Sequence, residues 1–404
     1  MGSDNRPAGS IAHVFPYDPR HLGQDVATWA SSQLKRWPLA AIARSSEPAR
    51  SSVHVIGPRS QQLDMGPLTL YVHRARMAGP AFRAWGDDRS ASLERYVQAL
   101  GANDVCVIHL NNDPAARYIH RAAFPARVVL VHHGRGTGTL DDHVNAADRI
   151  VLLRRDAESR LVDEWQLPAD RVRRATPSVD LELFARPASA TPNMEGGRPA
   201  LGYIGRLEES KGILELPKLL GHPGIAASIS RIDVVGPSSA DQLRAVMALV
   251  PEQARRQFCY LGELPSERLA ERMRDWRLLL VPSFSEGSPI VVAEALACGL
   301  EVVAVRGVLG VELEEMPGVN TTDRPAFAQT VAEIVARPLG AVAPWPVGHQ
   351  QAAAWWDDLL LDLGPTVASA RMPFVDRTRW LRLRPRPLRK ARARLIKFRA
   401  HDKG

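Results

Sequence analysis

The chain has 404 residues, 45% of them apolar and 24% charged, a balance that excludes a disordered or fibrous polymer and, at this length, favours two hydrophobic cores over one. The net charge of +8 is unevenly held: residues 371–404 carry 13 Lys/Arg against two acids, which leaves −3 on the first 370 residues, so a weakly acidic body bears a strongly basic tail. Three widely spaced cysteines, Cys106, Cys259 and Cys298, exclude a disulfide framework and a Cys-rich zinc site, and no apolar run is long enough to span a membrane.

Short β-branched runs recur along the chain. "IAHVFPY" (11–17), "SVHVIG" (52–57), "LTLYVH" (68–73), "VCVIHL" (105–110), "VVLVHH" (128–133) and "RIVLLR" (149–154) read as buried strands. Between two of them, "ASLERYVQALGA" places Leu93, Tyr96, Val97 and Leu100 at helical spacing. The stretch "ARPASATPNMEGGRPA" (185–200) gathers Pro, Gly, Ser and Ala without periodicity and reads as a linker. Strands then resume with "LGYIGR" (201–206), "RIDVVG" (231–236), "FCYLG" (258–262), "LLLVPS" (278–283) and "EVVAV" (301–305), and "AAAWWDDLLLDL" (352–363) suggests one more helix. Strand–helix alternation in two blocks implies two parallel-sheet α/β domains with a cleft between them. The expected division is residues 1–188, 189–348, a helical region 349–370 and the tail 371–404.

Two stretches carry chemistry. In "FSEGSPIVVAEALACG" (284–299), Glu286 falls on the loop at a strand's carboxyl end and Glu294 lies eight residues later, inside a helix. Ser288 suits the N-cap, Pro289 the first helical position and Gly299 the stop. Ligands of open α/β sheets bind at that edge, and a helix N-terminus with free N–H groups suits a phosphate. In "LGYIGRLEESKGILEL" (201–216), a strand delivers Gly205 and Arg206, and Lys211 is placed at the start of a helix that Pro217 should kink. Two cations five residues apart suit a diphosphate: Arg supplies a planar fork of donors, Lys a point charge, and Gly205 lets the main chain approach closely.

"GYIGRLEESKG" and "PSFSEGSPIVVAEALACG" resemble the two hallmark motifs of the retaining GT-B glycosyltransferases of family four. The family's Glu-x7-Glu pair is met by Glu286 and Glu294, and its Arg…Lys pair by Arg206 and Lys211. "VVLVHHGRGTG" resembles the His-Gly loop of the N-terminal domain, and "TPSVDLELFARP" the Asp-x-x-x-Phe-x-Pro stretch before the linker. The likeness runs over roughly residues 11–365, densest in the second half and thin in the first 100. The sequence departs from the pattern in three places. "DPRHLGQD" offers only Gly23 where a Gly-Gly pair is common, "TPSVD" replaces Pro-Asn-Gly-Val-Asp, and Glu301 stands where a proline normally follows Gly299.

The resemblance implies two Rossmann-like doubly wound domains facing across a cleft. It also implies transfer of a sugar from a nucleotide-diphosphate sugar, a UDP-sugar ahead of a GDP-sugar, to an acceptor hydroxyl with retention. Glu294 would accept from the ribose hydroxyls and Glu286 from the hydroxyls of the transferred sugar. The main chain around Gly287, Ser288 and Pro289 would lie along the phosphates, which Arg206 and Lys211 would neutralise. His133 joins these as an active-site group, with His132 an equally placed rival. Gly23, Asn111 and Asn112 are the acceptor-side candidates. "GRGTG" (134–138) lacks the G-x-G-x-x-G spacing of a dinucleotide loop. No Asp-x-Asp triplet is present, so neither a metal nor any other cofactor is expected, and Asp141, Asp142 and His143 read as a helix start.

A cell-envelope glycan, a lipid-linked glycan and a natural product all remain open as acceptor. Two other readings stand beside this one: a phosphorylase-like enzyme of the same fold, and a nucleic-acid-binding protein acting through the tail. The body's net −3 disfavours the second. The opening "MGSDNRPAGS" lacks a signal's apolar core, so a cytoplasmic location is expected. In "RTRWLRLRPRPLRKARARLIKF" (377–398), Trp380, Leu381, Leu383, Leu388, Leu395, Ile396 and Phe398 alternate with cations, as a peripheral anchor on an anionic inner leaflet requires. Pro385 and Pro387 prevent one continuous helix there.

Overall fold

The computed structural model describes residues 10–15, 25–57, 59–74, 104–110, 127–133, 147–164, 166–186, 194–195, 197–338 and 342–363. Gly23, Asn111, Asn112, the 134–138 loop, Asp141–His143, the helical pattern at 93–100 and the whole basic tail lie outside them.

The first sheet is built from β1 (Ile11–Phe15), β2 (Ser51–Gly57), β3 (Gln61–Asp64), β4 (Thr69–Arg74), β5 (Val105–Leu110), β6 (Arg127–His132), β7 (Arg149–Leu152) and β8 (Val172–Arg174). Their order is β3-β4-β2-β1-β5-β6-β7-β8, and only β3, the edge strand, runs antiparallel to its neighbour. The central strands alternate little because both faces are covered, as β1 shows with all five residues buried.

The second sheet contains β9 (Met194–Glu195), β10 (Arg198–Ile204), β11 (Arg231–Val235), β12 (Phe258–Gly262), β13 (Trp276–Val281), β14 (Glu301–Val305) and β15 (Val319–Thr322). The parallel strands are ordered β12-β11-β10-β13-β14-β15, with β9 antiparallel on β10. Strand order therefore reverses between β10 and β13, the switch point where doubly wound sheets hold ligands. Apolar side chains line both faces: Trp276, Leu279, Leu296 and Val302 on one, Leu201, Tyr203, Ile232 and Leu278 on the other.

The second half of the expected linker is not irregular. Met194–Glu195 pairs with Arg198 and Pro199, so the sheet begins before the run of apolar residues does. Where the chain leaves the first sheet, the outgoing and returning segments are tied together. Val179 bridges to Gly348, Trp345 Nε1 donates to Pro177 O (3.0 Å), and Ser178 Oγ bonds His349 Nδ1 (2.8 Å). The returning helix His349–Asp362 then buries Ala352, Trp356 and Leu359 in the core of the first sheet, beside Ile11, Val53 and Val107.

Candidate active site

The switch point brings the two motifs together. Gly205 and Arg206 follow β10 directly, and the loop 282–289 follows β13, its hydrogen-bonded neighbour. Lys211 does not open a helix. It closes a 3₁₀ turn, Glu209–Lys211, and the α-helix starts only at Glu215. Gly212 explains the turn's position: it adopts φ +70°, and a Cβ there would lie 2.0 Å from Pro282 O. Only glycine lets this turn lie against the end of β13. Pro217 causes no break, because it falls in the first turn of Glu215–Gly221, where its missing N–H would have had no partner.

The juxtaposition is direct. Lys211 Nζ meets Glu286 Oε1 at 2.9 Å and Oε2 at 2.8 Å, and Ser283 Oγ donates to Glu286 Oε1 at 2.6 Å. Both charged side chains are mostly buried. Arg206 stands apart from this pair. It is more than half exposed and lies 3.4 Å from Glu208. The Tyr203 hydroxyl braces the 206–211 loop from below through Arg206 O (3.0 Å) and Lys211 O (3.3 Å), and burial, with Glu286 adding to it, raises its pKa. Gly236, at φ +139°, packs so closely that a Cβ there would sit 2.2 Å from Gly205 O.

The helix after the loop begins one residue later than its sequence suggests. It spans Ile290–Ala297, with Pro289 at the cap position and no side-chain cap. Ser288 is therefore not the N-cap, because Pro289 keeps extended backbone (ψ 104°) and delays the first turn. Gly299, at φ +68°, ends the helix as expected. Glu294 is 4% exposed, and its Oε2 has no hydrogen-bond partner. Burial raises its pKa from 4.5 to about 7, against an opposing pull from Arg36 of the first domain. A carboxyl oxygen held in the interior without a hydrogen-bond partner is costly for folding, and a ligand hydroxyl would satisfy it.

Two arginines outside both motifs hold the Glu286 loop in place. Arg324 donates to Pro282 O and Ser283 O, both at 2.8 Å, while its guanidinium covers the Phe284 ring at 3.6 Å. Arg154, next to β7 of the first sheet, donates to Glu286 O (3.2 Å) and Val308 O (3.0 Å) in the second half of the chain. Neither could be found from spacing, since their acceptors are main-chain carbonyls far away in sequence. Glu301 also has an explanation: it is 1% exposed and pairs with Arg277 (3.2 Å) and Arg337 (2.8 Å), a structural role.

On the first sheet the two rival histidines separate. His132 is 1% exposed, whereas His133 is half-buried just past the strand end. His133 Nε2 lies 3.1 Å from His109 Nδ1, and its ring packs on Trp37. Burial, with His132 adding to it, lowers the His133 pKa to about 3, so the imidazole is neutral at pH 7. Burial likewise holds His109 well below its ordinary value. Among the described residues, no group of three His, Cys, Asp or Glu is arranged to hold a metal ion, and no helix is long and apolar enough to cross a membrane.

Residues 198–337, the second sheet with its helices, match the family model of glycosyl transferases group 1. A D-inositol 3-phosphate glycosyltransferase of Mycobacteroides abscessus is 29% identical over 63% of this chain and 60% of the relative. One from Acidothermus cellulolyticus is 32% identical over 41% of this chain and 40% of the relative. The chain thus spans 60% or less of the length of these two curated relatives. Anabaena HepE, solved in complex with UDP and glucose, superposes with TM-score 0.62 at 15% identity, covering 87% of this chain and 99% of that one. Sucrose-phosphate synthase from Thermosynechococcus elongatus gives 0.58 at 18% identity, over 88% of this chain and 97% of the other. The fold shared with these structures is GT-B.

Proposed function

We infer, for a GT-B chain whose residues 198–337 belong to the glycosyl transferases group 1 family, that the protein is a glycosyltransferase using a nucleotide-diphosphate sugar as donor. The observation that carries this reading is the pairing of Lys211 with Glu286 at the switch point, one cation and one acceptor set side by side. Paired in this way, each neutralises the other. A donor would take Lys211, with exposed Arg206, for its diphosphate and leave Glu286 to accept from the hydroxyls of the transferred sugar. The unsatisfied Glu294 Oε2 would accept from a ribose hydroxyl. Free main-chain N–H groups at the start of Ile290–Ala297 would add to the stabilisation of the departing diphosphate.

Two cations and a helix end would supply the charge stabilisation that leaving-group departure needs, so the proposed reaction requires no metal. A UDP-sugar is the proposed donor, supported by the UDP bound in HepE and the UDP-2-fluoroglucose bound in an Escherichia coli neighbour. The acceptor is proposed to be a hydroxyl on a cell-envelope glycan, a lipid-linked glycan or a small natural product, reached from the first sheet with neutral His133 beside it. The curated relatives named above make a polyol phosphate a further acceptor to try. Configuration is proposed to be retained. The basic tail is proposed to hold the enzyme at an anionic membrane surface on the cytoplasmic side.

The test is turnover. The full chain is incubated with UDP- and GDP-sugars and a set of polyol-phosphate and glycan acceptors, while released nucleoside diphosphate is followed and the product's anomeric proton is read by NMR. Acceptor-dependent release with an unchanged anomer is expected. Release of sugar 1-phosphate that requires inorganic phosphate would favour the phosphorylase-like reading instead.

A further inference from the structure

Arg154 is 3% exposed, and each of its three guanidinium nitrogens is hydrogen-bonded. Nε and Nη2 form a fork with Asp156 Oδ1 (2.9 Å) and Oδ2 (2.7 Å), on the side chain's own domain. Nη1 reaches into the other domain, where Glu286 O (3.2 Å), Gly287 O (3.5 Å) and Val308 O (3.0 Å) share its two hydrogens. A buried charge kept at a domain boundary is costly unless it is paired and hydrogen-bonded, as this one is. Its neighbourhood is shaped to the planar group: Gly310, at φ +102°, would place a Cβ only 3.3 Å from Arg154 Cζ. Next along the chain, Arg155 N donates to Glu312 Oε2 at 3.3 Å, so the same segment meets the second domain twice.

Glu286 is thus gripped from two sides. Its carboxylate is held by Lys211 and Ser283 of its own domain, and its main chain by an arginine of the other. We propose that Arg154 is a positioning residue that ties the main chain of the Glu286 loop to the first domain, so that Glu286 reaches its working position only when the domains are closed on each other. The chemistry it serves rests on the nucleotide-sugar reading above, but the contact itself does not. A lysine cannot replace it, because a single ammonium cannot hold the Asp156 fork and the carbonyls together.

The test uses the full chain with Arg154→Ala, Arg154→Lys and Asp156→Asn beside the parent. Without ligand, hydrogen exchange of the 286–290 segment should quicken about ten-fold or more in Arg154→Ala, while Trp276–Val281 stays protected and so reports an intact fold. Arg154→Lys and Asp156→Asn should fall between. Unchanged exchange at 286–290 in all three would overturn the proposal. In the second arm UDP and UDP-glucose are titrated. Arg154→Ala should bind UDP within about three-fold of the parent but lose ten-fold or more for UDP-glucose, and millimolar guanidinium should restore part of that loss. Equal loss for both probes, or none for either, would mean that Arg154 does not place the sugar-binding group. A parent chain that binds neither probe would overturn the nucleotide-sugar reading, and the exchange arm would still decide the role of Arg154.

Discussion

Glu294→Gln should make the protein more stable and the enzyme worse, and pH should control the first effect. In the parent, burial moves this carboxyl from 4.5 to about 7. Between those values the unfolded chain releases the proton and the folded chain keeps it. Stability from this group is therefore fully present below 4.5, falls as pH rises, and levels off above about 7. The displacement corresponds to about 3 kcal/mol in total. Glutamine has nearly the same shape and cannot ionise, so the variant escapes this loss. Its amide has its own cost in place of Oε2, but that cost does not depend on pH. The melting difference, variant minus parent, should accordingly climb by roughly 5–10 °C from about pH 4.5 to about pH 7.5. Fluorimetric melting at a series of pH values measures it, with the difference at low pH as internal reference. Donor affinity should move the other way, down ten-fold or more above neutrality, because ribose hydroxyls would lose a charged acceptor. A melting difference that is flat with pH would refute the buried, neutral Glu294. Unchanged donor affinity would refute its assignment to the ribose.

Arg206→Ala should reduce donor affinity or turnover ten-fold or more yet leave the melting temperature within about 1 °C, since its pairing with Glu208 is largely exposed and surface pairs contribute little; a folded variant with parental kinetics would contradict this. Turnover should survive excess EDTA, because Arg206 and Lys211 supply the charge; complete loss restored only by Mg²⁺ or Mn²⁺ would count against it. Truncation after Ala370 should abolish co-sedimentation with anionic liposomes at low salt and leave UDP binding intact, since residues 371–404 hold 13 cations. Equal sedimentation of the two chains would remove the anchor proposal.

Much of the candidate site's geometry was legible because strand–loop–helix units are local. The carboxyl ends of β10 and β13 could be read from apolar runs and glycines, and once the strands pair, Lys211 and Glu286 meet although 75 residues apart. Helix starts were less accessible. Ser288 looks like a cap, yet Pro289 holds the main chain extended and postpones the helix. The turn at Lys211 depends on Gly212 against Pro282 O, a contact between segments that no periodicity records. Arg154 and Arg324 were invisible for a related reason: each bonds main-chain carbonyls, which every residue possesses. The pairing of Met194–Glu195 with Arg198–Pro199 was hidden by its Pro- and Gly-rich composition.

The proposed function stands on a nucleotide sugar binding at the switch point through Lys211 and Glu286. The most direct measurement is a thermal-shift titration of the full chain with a panel of UDP- and GDP-sugars, parent beside Lys211→Ala. At 100-fold excess over Kd a ligand stabilises the folded chain by about 2.7 kcal/mol. At least one nucleotide sugar should therefore raise the parent's melting temperature by several degrees, and that rise should disappear in Lys211→Ala. No shift of the parent with any member of the panel, or the same shift in both chains, would contradict the account.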